Sequence, residues 1–224
     1  MTAAVRLLIA QINPIVGHLD YNTQCILEII QAHSATHDII LFPELALTGY
    51  PPEDLLFQPD FFEKMSVCLS CIQQATANCH VILGHPQRVS HQCFNTASIF
   101  YKKKQLAHYH KQALPNDSVF DERRYFVPGA PCACILTVNT LRLGVCICED
   151  IWTPAPMQQL FRANVAGVLC LNASPFDRQK YQKRLETLQP LAQKGVFIAY
   201  ANLVGGQDEL LFDGGSLVLD ASGT

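Results

Sequence analysis

Apolar residues fall along this chain in short unbroken runs set between amphipathic stretches. Residues 5–12 (Val-Arg-Leu-Leu-Ile-Ala-Gln-Ile), 38–42 (Asp-Ile-Ile-Leu-Phe) and 167–171 (Gly-Val-Leu-Cys-Leu) read as buried strands. Residues 81–84, 105–110, 195–202 and 217–219 read as further strands. Between Cys93 and Tyr101 the chain alternates, with Phe94, Thr96, Ser98 and Phe100 set against Asn95, Ala97 and Ile99. From Asp20 to about residue 35, Cys25, Ile26, Ile29 and Ile30 recur at helical spacing, with Asn22 or Thr23 as the expected cap. Helices are also expected over 60–79, 156–164 and 178–194. Residues 132–138 and 141–148 predict a hairpin turning at Asn139-Thr140, while 112–130 and 204–209 read as loops. Strands alternating with helices point to a layered α/β fold.

One run organises the rest. In Arg142-Leu-Gly-Val-Cys-Ile-Cys-Glu-Asp-Ile-Trp152 nothing between Leu143 and Cys148 is charged, and Glu149-Asp150 then ends the run abruptly. Cys148 is therefore expected where a buried strand opens into a turn, which is where α/β sheets place ligands. As a small apolar residue it could equally fill the core. Two other polar residues stand directly beyond strands: Glu44 after 38–42, and Lys111 after 105–110.

Composition narrows the class. The 224 residues are 49% hydrophobic and 16% charged, ample for one sizeable domain. A formal net charge of −3 leaves no electrostatic footprint for nucleic acid, and Lys102-Lys103-Lys104 reads as a solvated turn. No stretch approaches the ~18 apolar residues of a membrane span. The N-terminus shows no secretory pattern, so a cytoplasmic protein without a disulfide framework is expected despite ten cysteines. The pairs Cys132/Cys134 and Cys146/Cys148 supply four thiols for a zinc site, but C-x-C on extended strands lacks the usual knuckle turn, and Cys68 and Cys71 lie in a helical pattern.

Glu44, Lys111 and Cys148 together supply what amide hydrolysis through a thioester requires. A carboxylate takes the thiol's proton. An ammonium lowers the thiol's pKa and faces the oxyanion formed on attack. A Cys-His arrangement, with His108 or His110 as base, is the alternative.

At these residues the chain resembles a known family. Phe42-Pro-Glu-Leu, Lys111 and Cys-Ile-Cys148-Glu-Asp match the three signatures of the nitrilase (carbon–nitrogen hydrolase) superfamily. Phe-Pro-Glu-Leu-Ala-Leu-Thr-Gly-Tyr-Pro-Pro-Glu-Asp-Leu-Leu (42–56), Leu-Pro-Asn (114–116), Val-Phe-Asp-Glu-Arg-Arg-Tyr-Phe-Val-Pro-Gly (119–129), Asn-Ala-Ser-Pro-Phe (172–176) and the stretch 200–216 look like the glutaminase domain of glutamine-dependent NAD synthetases. The resemblance implies a four-layer α-β-β-α sandwich that packs as twofold dimers into a homo-oligomer. It implies Glu44 as general base, Lys111 as oxyanion partner, Cys148 as nucleophile and Glu122 as the carboxylate that orients the lysine. Ser174 and Lys180 fall where the family holds glutamine. Asp117 stands where it commonly has tyrosine, and there an acid would repel the substrate's carboxylate or help hold its ammonium.

The resemblance further implies that residues 1–224 form the glutaminase domain, ending near its C-terminal side, with the ATP-pyrophosphatase synthetase domain lying outside them. No cofactor is expected here; ATP and Mg belong to that second domain, which would amidate deamido-NAD with the released ammonia. A free-standing amidase of other specificity and a non-catalytic oligomerisation module are the competing expectations.

Overall fold

The structure, a computed structural model, describes residues 4–224, so the domain start expected at residue 1 lies outside the described residues. The first sheet begins with β1 (Leu7–Ile9), β2 (Ile39–Leu41) and β3 (His80–Val89), all parallel. Parallel neighbours need crossovers, and α1 (Leu19–His33) and α2 (Pro59–Ala75) supply them. The sheet closes with the antiparallel strands β4 (Gln92–Tyr101) and β5 (Lys104–His110). Lys102 and Lys103 make the turn between these two strands at φ +49° and +63°, solvent-exposed as expected.

The second sheet repeats the plan. β6 (Cys134–Val138) and β7 (Leu141–Ile147) form the expected hairpin, and β8 (Gly167–Asn172) and β9 (Phe197–Asn202) continue parallel to β7. α3 (Pro154–Arg162) and α4 (Lys180–Ala192) are the crossovers. A small hairpin, β10 (Val204–Gln207) and β11 (Leu210–Asp213), precedes β12 (Leu217–Leu219), which pairs antiparallel with β9.

Side-chain alternation turns the two sheets into four layers. Ile40, Val81, Leu83 and Phe100 pack with Ile26 and Ile30 of α1 and Met65 and Ile72 of α2. Their strand neighbours Ile39, Leu41, Ile82, Ala97 and Ile99 point the other way and share a core with Leu136, Leu143, Val145 and Leu169 of the second sheet. Met157, Leu160 and Leu188 continue that core beneath α3 and α4. The α-β-β-α sandwich expected from the sequence is the observed fold.

Local differences have local causes. The cap of α1 is His18, whose Nδ1 accepts from Tyr21 N at 3.2 Å. Asn22, the expected cap, is buried instead: its amide donates to Ile15 O and Leu47 O, and its Oδ1 accepts from Ile15 N. Residues 204–209 are not a loop: 204–207 form β10 and 208–209 turn into β11. Gly205 and Gly206 remove the side-chain alternation by which a strand is recognised. β3 runs past Gly84 to Val89, through Pro86, which lies opposite Asn95 of β4. β7 stops at Ile147, one residue before the expected end. Among the described residues no helix is long and apolar enough to cross a membrane.

Candidate active site

Strand ends from both sheets meet at one edge of the sandwich. Glu44 lies three residues beyond β2 and is fully buried. Its segment crosses β3 so closely that a Cβ on Gly84 would stand 2.5 Å from Pro43 O and Leu45 N. Only glycine leaves that passage open. Lys111 follows β5 directly; its N–H donates to Asn95 O at 2.9 Å and its carbonyl accepts from Gly129 N at 2.8 Å.

Cys148 leaves β7 with φ +44°, opening a short 3-10 turn (Cys148–Ile151). A non-glycine residue in the left-handed region costs about 1 kcal/mol or more and persists where its surroundings over-determine it. Asp150 does so here. Its Oδ2 accepts from Ile147 N and Tyr109 OH, and its Oδ1 accepts from Gln112 N and Ala113 N, all between 2.8 and 3.0 Å. One buried carboxylate thus ties the turn carrying Cys148 to the segment just after Lys111. Burial pushes that carboxyl up to about 6 against the pull of these bonds.

The charges form a closed set. Lys111 Nζ donates to Glu44 Oε1 at 2.6 Å and to Glu122 Oε1 at 2.7 Å, with all three side chains essentially out of water. Glu44 Oε1 also accepts from Asn95 Nδ2 at 2.8 Å, and Oε2 accepts from Ala173 N at 2.9 Å. Tyr50 OH donates to Glu122 Oε1. Glu122 stands in a short 3-10 turn (Glu122–Arg124) inside the long 112–130 segment, so that loop carries a residue of the cluster. Burial opposes the charge on Lys111, but Glu122 and Glu44 overcome it and hold the ammonium well above its usual pKa. Burial raises Glu122 to about 7, with Lys111 pulling the other way. Burial and then Glu44 keep the Cys148 thiol well above its usual value, and Lys111 only partly offsets them. The resting sulfur is therefore a thiol, and attack requires a base.

The remaining expected residues lie around this cluster. Ser174, buried, follows Ala173; its N–H donates to Asn202 Oδ1, and its carbonyl accepts from Asn202 Nδ2 and Arg184 Nη2. Lys180 opens α4 with Nζ 5.1 Å from the Trp152 ring centroid. Asp117 is exposed and lines a cavity of about 490 Å³ with Asn116, Arg123, Glu149 and Thr153. Burial raises the Glu149 carboxyl, the ammoniums of Lys111 and Lys180 pull it back, and Asp117 raises it further. Glu149, the residue next to Cys148, therefore lies within electrostatic reach of both Lys180 and Asp117. His108 and His110 stand apart: His110 Nε2 bonds Gln87 Oε1, and its ring lies against His108 and Phe94. The alternative Cys-His arrangement has no counterpart here.

Asn95, Glu149 and Asp150 were not singled out in the sequence. Asn95 is one polar position in an alternating strand, and Glu149 and Asp150 read only as the end of a run. All ten cysteines are free, and among the described residues no group of three His, Cys, Asp or Glu side chains is arranged as metal ligands.

Comparison with known proteins gives a consistent picture. Residues 6–224 match the carbon–nitrogen hydrolase family model. A glutamine-dependent NAD(+) synthetase of Xanthomonas campestris is 42% identical over 98% of this chain, and one of Aquifex aeolicus 40% identical over 98%. A solved glutamine-dependent NAD+ synthetase of Acinetobacter baumannii, in complex with ADP, superposes with a TM-score of 0.94 at 37% identity, covering 98% of this chain and 42% of that one. An amidase of Nesterenkonia, from the nitrilase superfamily, shares the fold at TM-score 0.86 and 23% identity, covering 98% of this chain and 84% of that one. The chain spans 41% of the Xanthomonas relative and 39% of the Aquifex relative.

Proposed function

The chain belongs to the carbon–nitrogen hydrolase family, and on that premise we propose that residues 1–224 form a glutamine amidohydrolase domain releasing ammonia for an NAD synthetase. The observation that carries the reading is the buried Lys111 ammonium bridging Glu44 and Glu122 beside a thiol at a strand end.

In this mechanism Cys148 Sγ attacks the side-chain amide carbon of glutamine while Glu44 takes the thiol proton. A C–S bond forms, and the carbonyl π electrons move to oxygen. Lys111 stabilises that oxyanion, and Glu122 holds Lys111 in place. Collapse breaks the C–N bond as Glu44 returns the proton to the leaving nitrogen, so ammonia departs and a thioester remains. Glu44 then activates water, which cleaves the thioester to glutamate and restores the thiol. A base is needed because burial keeps the sulfur protonated at rest. Ser174, Lys180, Asp117 and Glu149 would recognise the zwitterionic end of the substrate: Glu149 and Asp117 suit its ammonium, Lys180 its carboxylate.

The names and lengths of the relatives support the wider reading. The ammonia would pass to an ATP-pyrophosphatase domain of the same protein, which would use ATP with Mg to amidate deamido-NAD. That protein would work in the cytoplasm as a homo-oligomer.

The test is a glutaminase assay on the purified protein. Wild type should produce glutamate, and Cys148→Ala should produce none while keeping its fold by circular dichroism. Hydrolysis of short aliphatic amides but not of glutamine would replace this reading with a general amidase, and glutamate release by Cys148→Ala would remove the nucleophile.

A further inference from the structure

We infer that Asn95 is a positioning residue for the chemistry proposed above, selecting which oxygen of Glu44 serves as base and holding Lys111 in register with it. The inference rests on that reading of the site.

Asn95 lies in β4, essentially without solvent contact. The next inward-facing positions of the strand, Ala97 and Ile99, are apolar core. An amide here is costly to bury, and only part of it is satisfied. Asn95 Nδ2 donates to Glu44 Oε1 at 2.8 Å, but Asn95 Oδ1 is buried with no partner. An apolar side chain would suit the core better, so the bond to Glu44 is what the amide provides.

That bond has a chemical consequence. Glu44 Oε1 receives two donors, Asn95 Nδ2 and the Lys111 ammonium, which occupy both its lone pairs. Glu44 Oε2 receives only Ala173 N–H, leaving one lone pair open. A thiol proton is accepted where a lone pair is free, so Oε2 is the basic atom. Without Asn95, Oε1 would have an open lone pair as well, and the carboxylate could rotate away from the thiol. The backbone of the same residue completes the arrangement, because Asn95 O accepts from Lys111 N at 2.9 Å. Side chain and main chain of one residue thus hold the base and the ammonium together.

The experiment compares wild type with Asn95→Leu, of the same branched shape but bulkier and without a donor, and Asn95→Asp, of similar shape with a second negative charge beside Glu44. Two readouts are taken: kcat and KM for glutamine, and the pH profile of Cys148 alkylation by iodoacetamide, followed by mass spectrometry. Asn95→Leu should lower kcat roughly ten- to a hundredfold with KM within about twofold. It should also move the acidic limb of the alkylation profile up by about one pH unit, because a hydrogen bond to a charged group is worth about tenfold. Asn95→Asp should move the limb further the same way. If Asn95→Leu does not fold, Asn95→Ser, smaller and hydroxylated, is expected to give a smaller shift in that direction. An acidic limb that stays in place while activity falls in proportion to folded protein would overturn the inference, as would an unchanged kcat. Alkylation needs no substrate, so if glutamine is not hydrolysed the proposed function fails while this profile still decides the role of Asn95.

Discussion

Lys111 is the residue on which the buried charges depend. It is the ammonium bonded to both Glu44 and Glu122, and none of the three side chains can reach water freely. Replacing it by methionine keeps the stem and strands two carboxylates, which should cost about 3–5 kcal/mol of stability. The sign with pH follows from the carboxylates. Burial raises Glu122 to about 7 from the ordinary glutamate value of 4.5, so its contribution to stability is fully present below 4.5 and lost as pH rises towards 7. Removing Lys111 should steepen that fall, and urea unfolding at pH 5 and pH 8 will measure it: the Lys111→Met deficit should be larger at pH 8. Glu44→Gln keeps shape without proton transfer and should slow glutamine hydrolysis roughly 10²–10⁴-fold in a steady-state assay. Glu44, Lys111 and Cys148 were legible in the sequence because each stands just beyond an apolar run. Asp150 and Asn95 were not, because the partners that give them a role, Tyr109, Gln112 and Ala113 for Asp150 and Glu44 for Asn95, lie 37 to 51 residues away. Asp150 binds Gln112 and Ala113, and nothing in Cys-Glu-Asp-Ile announces that.

At the scale of elements, closeness of backbone decides where the side chains stand. The passage of residues 43–45 over Gly84 leaves no room for a methyl group. Gly84→Ala should therefore displace Glu44, and activity should fall at least about tenfold beyond any loss of folded protein, read as kcat on the folded fraction. The strands β3–β5 carry a second element-scale property in His85, His108 and His110. Burial pulls His85 and His110 down to about 4, and their histidine neighbours add to it. A base whose folded pKa is depressed keeps its stabilising effect above the unfolded value of about 6.5 and loses it as pH falls towards 4. His110→Gln, which can still reach Gln87, should flatten that acid loss in thermal melts between pH 7 and 4.5. Helices and central strands were legible from periodicity alone, within a few residues at their ends. β10–β11 was hidden by Gly205-Gly206, and the extension of β3 by Pro86, because both residue types weaken the strand signal even where the chain pairs.

For the whole molecule, the site exists only where the two sheets pack. Glu44, Asn95 and Lys111 come from the first sheet, Ala173 and Cys148 from the second, and Glu122 from the segment crossing between them. The layered fold was legible because strand and helix patterns alternate along nearly the whole chain. The meeting of these strand ends was not, since alternation fixes layers and not which loops touch. The family's chemistry and this geometry make one central claim: Cys148 becomes acylated by glutamine with Glu44 as base. Rapid-quench intact-mass spectrometry of the protein mixed with glutamine tests it most directly. The account expects, in the first turnover, a species heavier by one glutamyl group, mapped by digestion to Cys148 and absent in Cys148→Ala. Glutamate formed at full rate with no such adduct at any quench time, or an adduct mapping to another residue, would contradict it.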